Sequence, residues 1–333
     1  MKIPIIKFSA LEYWLDGTNR YYYYSPKLHS IEKKFNFFID EIFARNLAKE
    51  YNLSLPLDIM VPVNHVRNRS SNYHFFSWIN NLPSASFVKL KDRANHDEEV
   101  FIACPELCFI EAANLYSLPE TIIIGCLLCA QFVRDDSEST KQRTRKPVTS
   151  TRKISRYIKK LENFHGIKKA RLAIKYVKDS CNSPMEISLA VIASLPICKG
   201  GYALSNFVMN KEVHLVKNFA SEMNRKVLHC DMVWPENRFA VEYESNLTHL
   251  SKEQHEYDKK RSNALKASGY NIIYIVKNDT SSLSSLDNTF FKIRKALGLR
   301  PLSKRFDLNI DIRLDTFRKV FKYDIFYKLR NHT

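Results

Sequence analysis

The sequence predicts a protein of mixed α and β structure, of the α/β or α+β class, with two folded domains. Its 333 residues exceed what one domain of roughly 100 to 200 residues usually holds. Segments with the period of a strand and segments with the period of a helix follow one another along the chain. The composition changes after Arg134, where residues 135–147 are almost wholly polar. We therefore expect an N-terminal α+β domain at 1–134, a basic helical connector at 135–180, a second domain at 181–300 and a C-terminal tail at 301–333.

The N-terminal domain alternates strand-like and helix-like segments. Leu57–Val63 and Tyr73–Trp78 have the composition of strands. Pro105–Tyr116 has helical spacing with proline in its first turn, and the apolar run Ile122–Val133 predicts a buried helix. The four tyrosines of Tyr21–Tyr24 fit a half-buried strand better than a surface on which bases stack.

The charge of the chain predicts a polyanionic partner. The formal net charge is +17 and the sequence pI is near 9.5. We see neither a run of roughly 18 apolar residues nor a signal peptide, so we expect a cytoplasmic protein without a membrane partner. Seven cysteines scattered among apolar residues fit reduced thiols in that compartment. Cys126 and Cys129 form a CxxC pair without a second pair, which favours core packing over zinc binding.

The excess positive charge is concentrated in one segment. Of the 38 residues from Lys141 to Lys178, 14 are Lys or Arg and one is acidic. Two helices are expected here, the first capped by Thr149 or Ser150 and the second with an apolar stripe that leaves its cations facing solvent. Such a face can neutralise backbone phosphates, although a merely solvated basic face explains it too. The candidate nucleic-acid contacts in this segment are Arg145, Lys146, Arg152, Lys153, Arg156, Lys168, Lys169 and Arg171, and Lys259 and Arg261 are candidates later in the chain.

The second domain begins with a well-signalled helix, Ser183–Leu195. Ser183 occupies the cap, Pro184 the first position, and Glu186 follows the serine by three residues, the pattern of a capping box. Glu186 therefore has a structural role available, and it is also a candidate ligand for a metal or a metal-bound water. The other predicted elements outside the hairpin are a strand at Phe207–Val216, a helix at Ser251–Ser268, a strand at Tyr270–Lys277 and a helix at Leu286–Leu297.

Between these elements a β-hairpin carries two opposed carboxylates. The segment Leu228–Ser245 alternates with period two and is interrupted by Pro-Glu-Asn at 235–237. A turn centred in that tripeptide pairs Asp231 with Glu242, whose Cβ atoms would then lie roughly 4.5 to 5.5 Å apart. Glu244 points to the same face. Clustered carboxylates are costly without a cation, and they suit Mg²⁺ or Mn²⁺, although the solvated face of a sheet also carries alternating charges.

This ordered set of motifs resembles the PD-(D/E)XK, or restriction-endonuclease-like, nuclease superfamily, in its branch related to the very-short-patch-repair endonucleases. The resemblance covers residues 183–299. It rests on Glu186, Asp231, Glu242-Tyr-Glu-Ser245, His249, Asp258-Lys-Lys-Arg261 and Gly269-Tyr270. It implies a restriction-endonuclease-like mixed sheet flanked by helices. Residues 100–113 also look like the antitoxin-type regulators of abortive-infection systems, which leaves a protein partner open for the N-terminal domain.

One position departs from the superfamily's pattern. Glu244 stands where many members carry a lysine that positions or activates the attacking water. His249, Lys259 and Lys260 are the candidates to take over that task. Arg261 is a candidate phosphate contact, and an ion pair with Asp258 one turn earlier explains it equally well.

These features predict a Mg²⁺- or Mn²⁺-dependent endonuclease acting on DNA in preference to RNA, with defence against foreign DNA as its setting. Asp231 and Glu242 are the expected direct metal ligands, joined by the Tyr243 carbonyl. Glu186 or Glu244 would hold a metal-bound water or a second ion. The alternative is a nucleic-acid-binding regulator or antitoxin that keeps the nuclease fold without its activity. The missing lysine favours this alternative.

Overall fold

The computed structural model describes residues 1–16, 27–65, 69–77, 79, 82–90, 98–134, 142–244, 252–302 and 305–322. The chain divides into two compact units, one formed by Met1–Val177 and one by Lys178–Tyr323. Each unit combines helices with a mixed β-sheet, so the predicted mixture of α and β structure is confirmed. The tyrosine run at 21–24 lies outside the described residues.

The sheet of the first unit has six strands in the order β2-β5-β6-β1-β3-β4. These strands are β1 (Lys2–Ile5), β2 (Leu28–His29), β3 (Leu57–Met60), β4 (Tyr73–Phe76), β5 (Phe87–Lys89) and β6 (Glu99–Ala103). The apolar strand β1 lies inside the sheet, parallel to β6 and antiparallel to β3. Its Ile3 and Ile5 are fully buried, as expected for a strand covered on its faces.

Six helices complete the described part of the first unit. They are α1 (Lys7–Leu15), α2 (Glu41–Tyr51), α3 (Pro105–Leu115), α4 (Leu118–Leu128), α5 (Thr151–Lys159) and α6 (Ile167–Ala173). A capping box of Ser117 and Glu120 starts α4 earlier than the apolar run suggested. The helix also ends earlier, because residues from Phe132 pair as β7 (Phe132–Arg134) with β8 (Gln142–Thr144).

The basic segment folds as two helices in contact with α3. Ser150 caps α5 by accepting from the N–H of Lys153, and Ile154 and Ile158 of α5 are buried. The helices that the sequence suggested as a connector therefore pack within the first unit. The division between the two units falls after Val177, close to the expected start of the second domain.

The second unit contains a four-stranded mixed sheet in the order β12-β11-β10-β9. Its described elements are α7 (Pro184–Ser194), β9 (Val208–His214), α8 (Lys217–Glu222), β10 (Val227–Trp234), β11 (Phe239–Glu244), α9 (Lys252–Ala267), β12 (Asn271–Val276), α10 (Leu283–Ala296), α11 (Arg305–Leu308) and α12 (Ile310–Phe317). Strands β9, β10 and β11 are antiparallel neighbours, and β12 runs parallel to β11. Within the described residues, each predicted element of this unit is present to within a few residues, and the additions are α8, the C-terminal helices and three short helical turns.

Part of the expected C-terminal tail is an integral element of the second unit. Arg313 of α12 is 2% exposed, and its guanidinium pairs with the carboxylate of Asp287 on α10. Gly200 has a positive φ of +85°, and a Cβ at this position would lie 2.6 Å from the hydroxyl oxygen of Thr316. The turn after α7 therefore packs tightly against α12.

The cysteines are buried with the exception of Cys198. Cys126 and Cys129 are fully buried in and directly after α4, so their prediction as core residues is confirmed. No helix among the described residues is long and apolar enough to cross a membrane.

Candidate functional site

The hairpin of the second unit has the register predicted from its turn. Met232 pairs with Val241 and Trp234 with Phe239. Asp231 and Glu242 follow directly beyond the first of these pairs, on adjacent strands. The Glu242 residue is 5% exposed and Asp231 is half-buried, so both carboxylates are largely removed from water.

Asp231 lies in an environment that disfavours its charge. Burial raises the pKa of its carboxyl group to about 7, and the negative charges of Glu242 and Glu186 add to the shift. The backbone N–H of Tyr243 donates to Asp231 Oδ2 at 2.8 Å, and this hydrogen bond partly opposes the rise in the pKa of Asp231. The influence of Glu242 and Glu186 on one carboxyl group indicates that the three acids form an electrostatic cluster.

Glu242 pairs with a cation of the following helix. Arg261 Nη2 on α9 donates to Glu242 Oε1 at 2.9 Å and to the carbonyl oxygen of His229 at 2.5 Å. Arg261 is half-buried, so this contact fixes α9 on the sheet rather than forming a solvated surface pair. The sequence suggested Asp258 or a phosphate as the partner of Arg261, and the structure provides Glu242.

Glu186 combines the capping role with a place near the acids. Ser183 Oγ accepts from the N–H of Glu186 at 3.2 Å, and Glu186 Oε2 accepts from the N–H of Asn182 at 2.8 Å. Asn210 of β9 donates its side-chain amide to Glu186 Oε2 at 2.5 Å and to the Ser180 carbonyl at 2.8 Å. Burial raises the pKa of Glu186, and the charge of Glu242 contributes.

Asn210 is a site residue that the sequence does not reveal. It has a φ of +48° within a strand, a conformation that asparagine adopts more readily than most residues. Its amide reaches an acid 24 positions earlier in the chain. A polar residue in an alternating strand gives no sign of such a long-range bond, so no sequence signal could have identified it.

The remaining candidates differ in what the structure shows of them. Glu244 is half-buried at the end of β11, and burial followed by the charges of Asp258 and Glu242 raises its pKa. Lys259 and Lys260 are exposed on α9. His249 lies outside the described residues.

The donor set of the acidic cluster suits a hard divalent cation, because carboxylate oxygens are the ligands that Mg²⁺ and Mn²⁺ prefer. The arrangement is nevertheless not a closed metal cage. Within the described ranges, no group of three or more His, Cys, Asp or Glu side chains is positioned to hold a metal ion. Arg261 occupies one oxygen of Glu242, and Asn210 occupies one oxygen of Glu186.

Most cations of the predicted nucleic-acid contact are exposed. Lys146, Arg152, Lys153, Arg156, Lys168 and Arg171 of the first unit, and Lys259 of the second, are open to solvent. Arg171, although exposed, donates from Nη2 to the Leu161 carbonyl oxygen at 3.0 Å. Two less exposed cations are engaged within the fold. Arg145 donates to the carbonyl oxygens of Trp14 and Leu127 at 2.7 and 2.8 Å, and Lys169 Nζ donates to the Tyr116 carbonyl at 2.6 Å. These two side chains stabilise the first unit, and the exposed ones remain candidates.

Comparison with known proteins gives no further constraint on the site. No protein-family model, no curated protein and no solved structure matches the chain.

Proposed function

We propose that the protein is a metal-dependent nuclease that hydrolyses phosphodiester bonds of DNA. The observation that carries the proposal is the acidic cluster of Asp231, Glu242 and Glu186. Burial, together with the negative charges of Glu242 and Glu186, raises the pKa of Asp231 to about 7. Buried acids whose pKa is raised by specific charged neighbours are typical of functional sites. A divalent cation bound to the cluster would remove the repulsion.

The order of elements in the second unit supports the same proposal. A helix that starts with Glu186 precedes the antiparallel strands carrying the other two acids, and β12 then runs parallel to β11 after α9. The resemblance to PD-(D/E)XK nucleases implies a mixed sheet flanked by helices, and the sheet of this unit is compatible with it. The finer assignment to a restriction-endonuclease-like fold belongs to the proposal.

In this proposal Asp231 and Glu242 would bind Mg²⁺ or Mn²⁺, with the Tyr243 carbonyl as a further ligand. When bound, the cation lowers the pKa of water and offsets the charge that develops on the phosphate. Glu186 and Glu244 would accept hydrogen bonds from the attacking water and orient it. Arg261, which holds Glu242 in the described structure, would fix that carboxylate in place or contact the phosphate.

The exposed cations of α5 and α6 would bind the nucleic-acid backbone. Arg152, Lys153 and Arg156 on α5 and Lys168 and Arg171 on α6 are open to solvent, and contacts of this kind carry no sequence information. DNA as the preferred target and defence against foreign DNA rest on the resemblance alone.

The proposal is tested by incubating the purified protein with plasmid and single-stranded DNA in Mg²⁺, Mn²⁺ or EDTA. We expect cleavage with either cation, none with EDTA, and a loss of at least about 100-fold in Asp231→Asn or Glu242→Gln. Glu236→Gln is the matched control, because it removes an exposed carboxylate from the turn of the same hairpin. Cleavage that survives both site substitutions would refute the assignment.

The ion pair between Arg261 and Glu242 favours a second candidate, a nucleic-acid-binding regulator or antitoxin that does not cleave. A buried acid neutralised by an arginine needs no cation, and within the described residues no metal-binding group is formed. The same experiment separates the two candidates. A protein that binds DNA equally well with and without the acids, and never cuts it, is a regulator.

A further inference from the structure

The first unit contains a cavity that the proposed nuclease does not use. Its volume is about 460 Å³, within the range of small-molecule sites. The walls come from four places: the junction of β1 and α1, the end of β4, the last turns of α3 and the loop between α5 and α6. The cavity is therefore adjacent in sequence to both helices that carry the exposed cations.

A buried carboxylate in the wall has one oxygen without a partner. Glu111 of α3 is 6% exposed, and its Oε2 accepts from the backbone N–H of Lys7 at 2.9 Å. Its Oε1 is buried and makes no hydrogen bond among the described residues. A buried acceptor left unsatisfied is unfavourable, so this oxygen is suited to a hydrogen-bond donor supplied by a ligand.

An ammonium group lines the same cavity. Lys7 Nζ lies 3.5 Å from the centroid of the Phe76 ring, a second lining residue. Burial lowers the pKa of Lys7, while the charges of Glu111 and Asp58 oppose that shift. The cavity thus presents one acceptor and one cationic donor, and Phe164 of the loop between α5 and α6 adds an aromatic ring.

The wall formed by that loop is preorganised. Gly166 has a φ of +83°, and a Cβ at this position would lie 2.6 Å from the backbone nitrogen of Asn114. Only glycine allows this close approach of the loop to the end of α3. Asn163 also has a positive φ, of 53°. The residues between these two positions, including Phe164 and His165, are consequently held against the cavity.

We propose that this cavity binds a guanine base. Guanine carries two acceptors, O6 and N7, on one edge, which suit a lysine ammonium. Beside them it carries N–H donors at N1 and N2, which suit a carboxylate oxygen that lacks a partner. The other bases do not combine two adjacent acceptors with such donors. Phe164 in the wall adds an aromatic side chain, a group on which bases stack.

The test is titration calorimetry of the full-length protein with GMP, AMP, CMP and UMP. We expect GMP to bind at least tenfold more tightly than the other three. Glu111→Gln should weaken GMP binding at least tenfold, since it replaces the unpartnered oxygen by an amide while its carbonyl can still accept from Lys7. Glu162→Gln, which removes an exposed acid beside the loop, should leave GMP binding unchanged. Equal binding of the four nucleotides, binding of none, or full binding by Glu111→Gln would overturn the proposal.

If Glu111→Gln does not fold, Lys7→Met tests the site instead. This substitution keeps an aliphatic side chain near Phe76 and removes the ammonium group. It should weaken GMP binding at least tenfold, and unchanged affinity refutes the site.

A parallel titration compares a thymidine oligonucleotide containing one dG with an all-thymidine one. Preference for the dG oligonucleotide assigns the site to a base within a strand, and binding of GMP without that preference assigns it to a free nucleotide. Asp231→Asn should bind GMP normally, so this proposal and the nuclease can fail separately.

Discussion

At the scale of single residues, the charge state of Asp231 is the most informative quantity in the acidic cluster. Its carboxyl group has a pKa of about 7 in the folded protein, against a reference value of 3.8. The folded state therefore binds the proton more tightly than the unfolded chain does. Stability should fall as pH rises from about 4 to about 7, and the loss should be complete above pH 7.

Asp231→Asn should remove this dependence, because the amide is neutral at every pH. At pH 8 in EDTA we expect the variant to be more stable than the wild type by roughly 2 to 4 kcal/mol, since each unit of pKa shift corresponds to about 1.4 kcal/mol. At pH 4 the difference should nearly vanish. Urea unfolding at both pH values measures it, with Glu236→Gln as the control. An equal effect at the two pH values would show that Asp231 is not protonated preferentially in the fold.

Residue-level pairings are also where sequence reasoning reaches its limit. Half of the predicted capping box of Ser183 and Glu186 is present, since Ser183 Oγ accepts from the N–H of Glu186, three positions away. The Glu186 carboxylate accepts instead from the N–H of Asn182, one residue before the cap. The bonds from Arg261 to Glu242 and from Asn210 to Glu186 were not predictable, since they join residues 19 and 24 positions apart. Such pairs depend on how a helix packs on a sheet, and no local pattern specifies that packing.

At the scale of elements, the hairpin was predictable down to its register. Alternation fixed the faces of the two strands, and the turn residues at 235–237 fixed where they fold back. The end of α4 was predicted wrongly because its apolar run continues into β7, and periodicity alone cannot separate a buried helix from a buried strand.

The basic face of α5 gives a prediction that belongs to this scale. Replacing Lys153 and Arg156 by glutamine should weaken DNA binding and reduce the slope of log K against log salt by roughly 1 to 2, at about 0.9 per lost phosphate contact. The matched control replaces Lys292 and Lys295, two exposed lysines of α10 in the second unit. Fluorescence anisotropy with a labelled duplex at several salt concentrations measures both slopes. Identical slopes for the two variants would mean that α5 makes no special contact.

At the scale of the whole molecule, the chain forms two units, and the C-terminal helix belongs to the second. Phe306 and Phe317 are buried, and the guanidinium of Arg313 is engaged by Asp287. Composition could not reveal this, because residues 301–333 mix charged and apolar side chains without a strong period. The packing of α12 depends on Gly200 and on Asp287, partners more than 20 positions away.

Truncation after Arg300 should therefore destabilise the protein. Removal of the C-terminal helices breaks the ion pair of Arg313 with Asp287 and takes away the buried side chains of Phe306 and Phe317, each of which contributes about 1.5 to 3 kcal/mol by its burial. Truncation after Lys322 is the control, since it keeps α12 and the following turn. Urea unfolding of both truncated proteins at equal concentration provides the comparison. Equal midpoints would show that α12 contributes nothing to the second unit.

The distribution of the cysteines has a practical consequence. Cys198 is exposed in the turn that follows α7, and the other six are buried. A maleimide dye added to the folded protein should therefore attach at one position, without any engineered residue. That position lies on the second unit, just beyond the helix that carries Glu186. The native chain thus offers a built-in attachment point for a fluorophore or spin label that follows one half of the molecule while DNA or nucleotide is added.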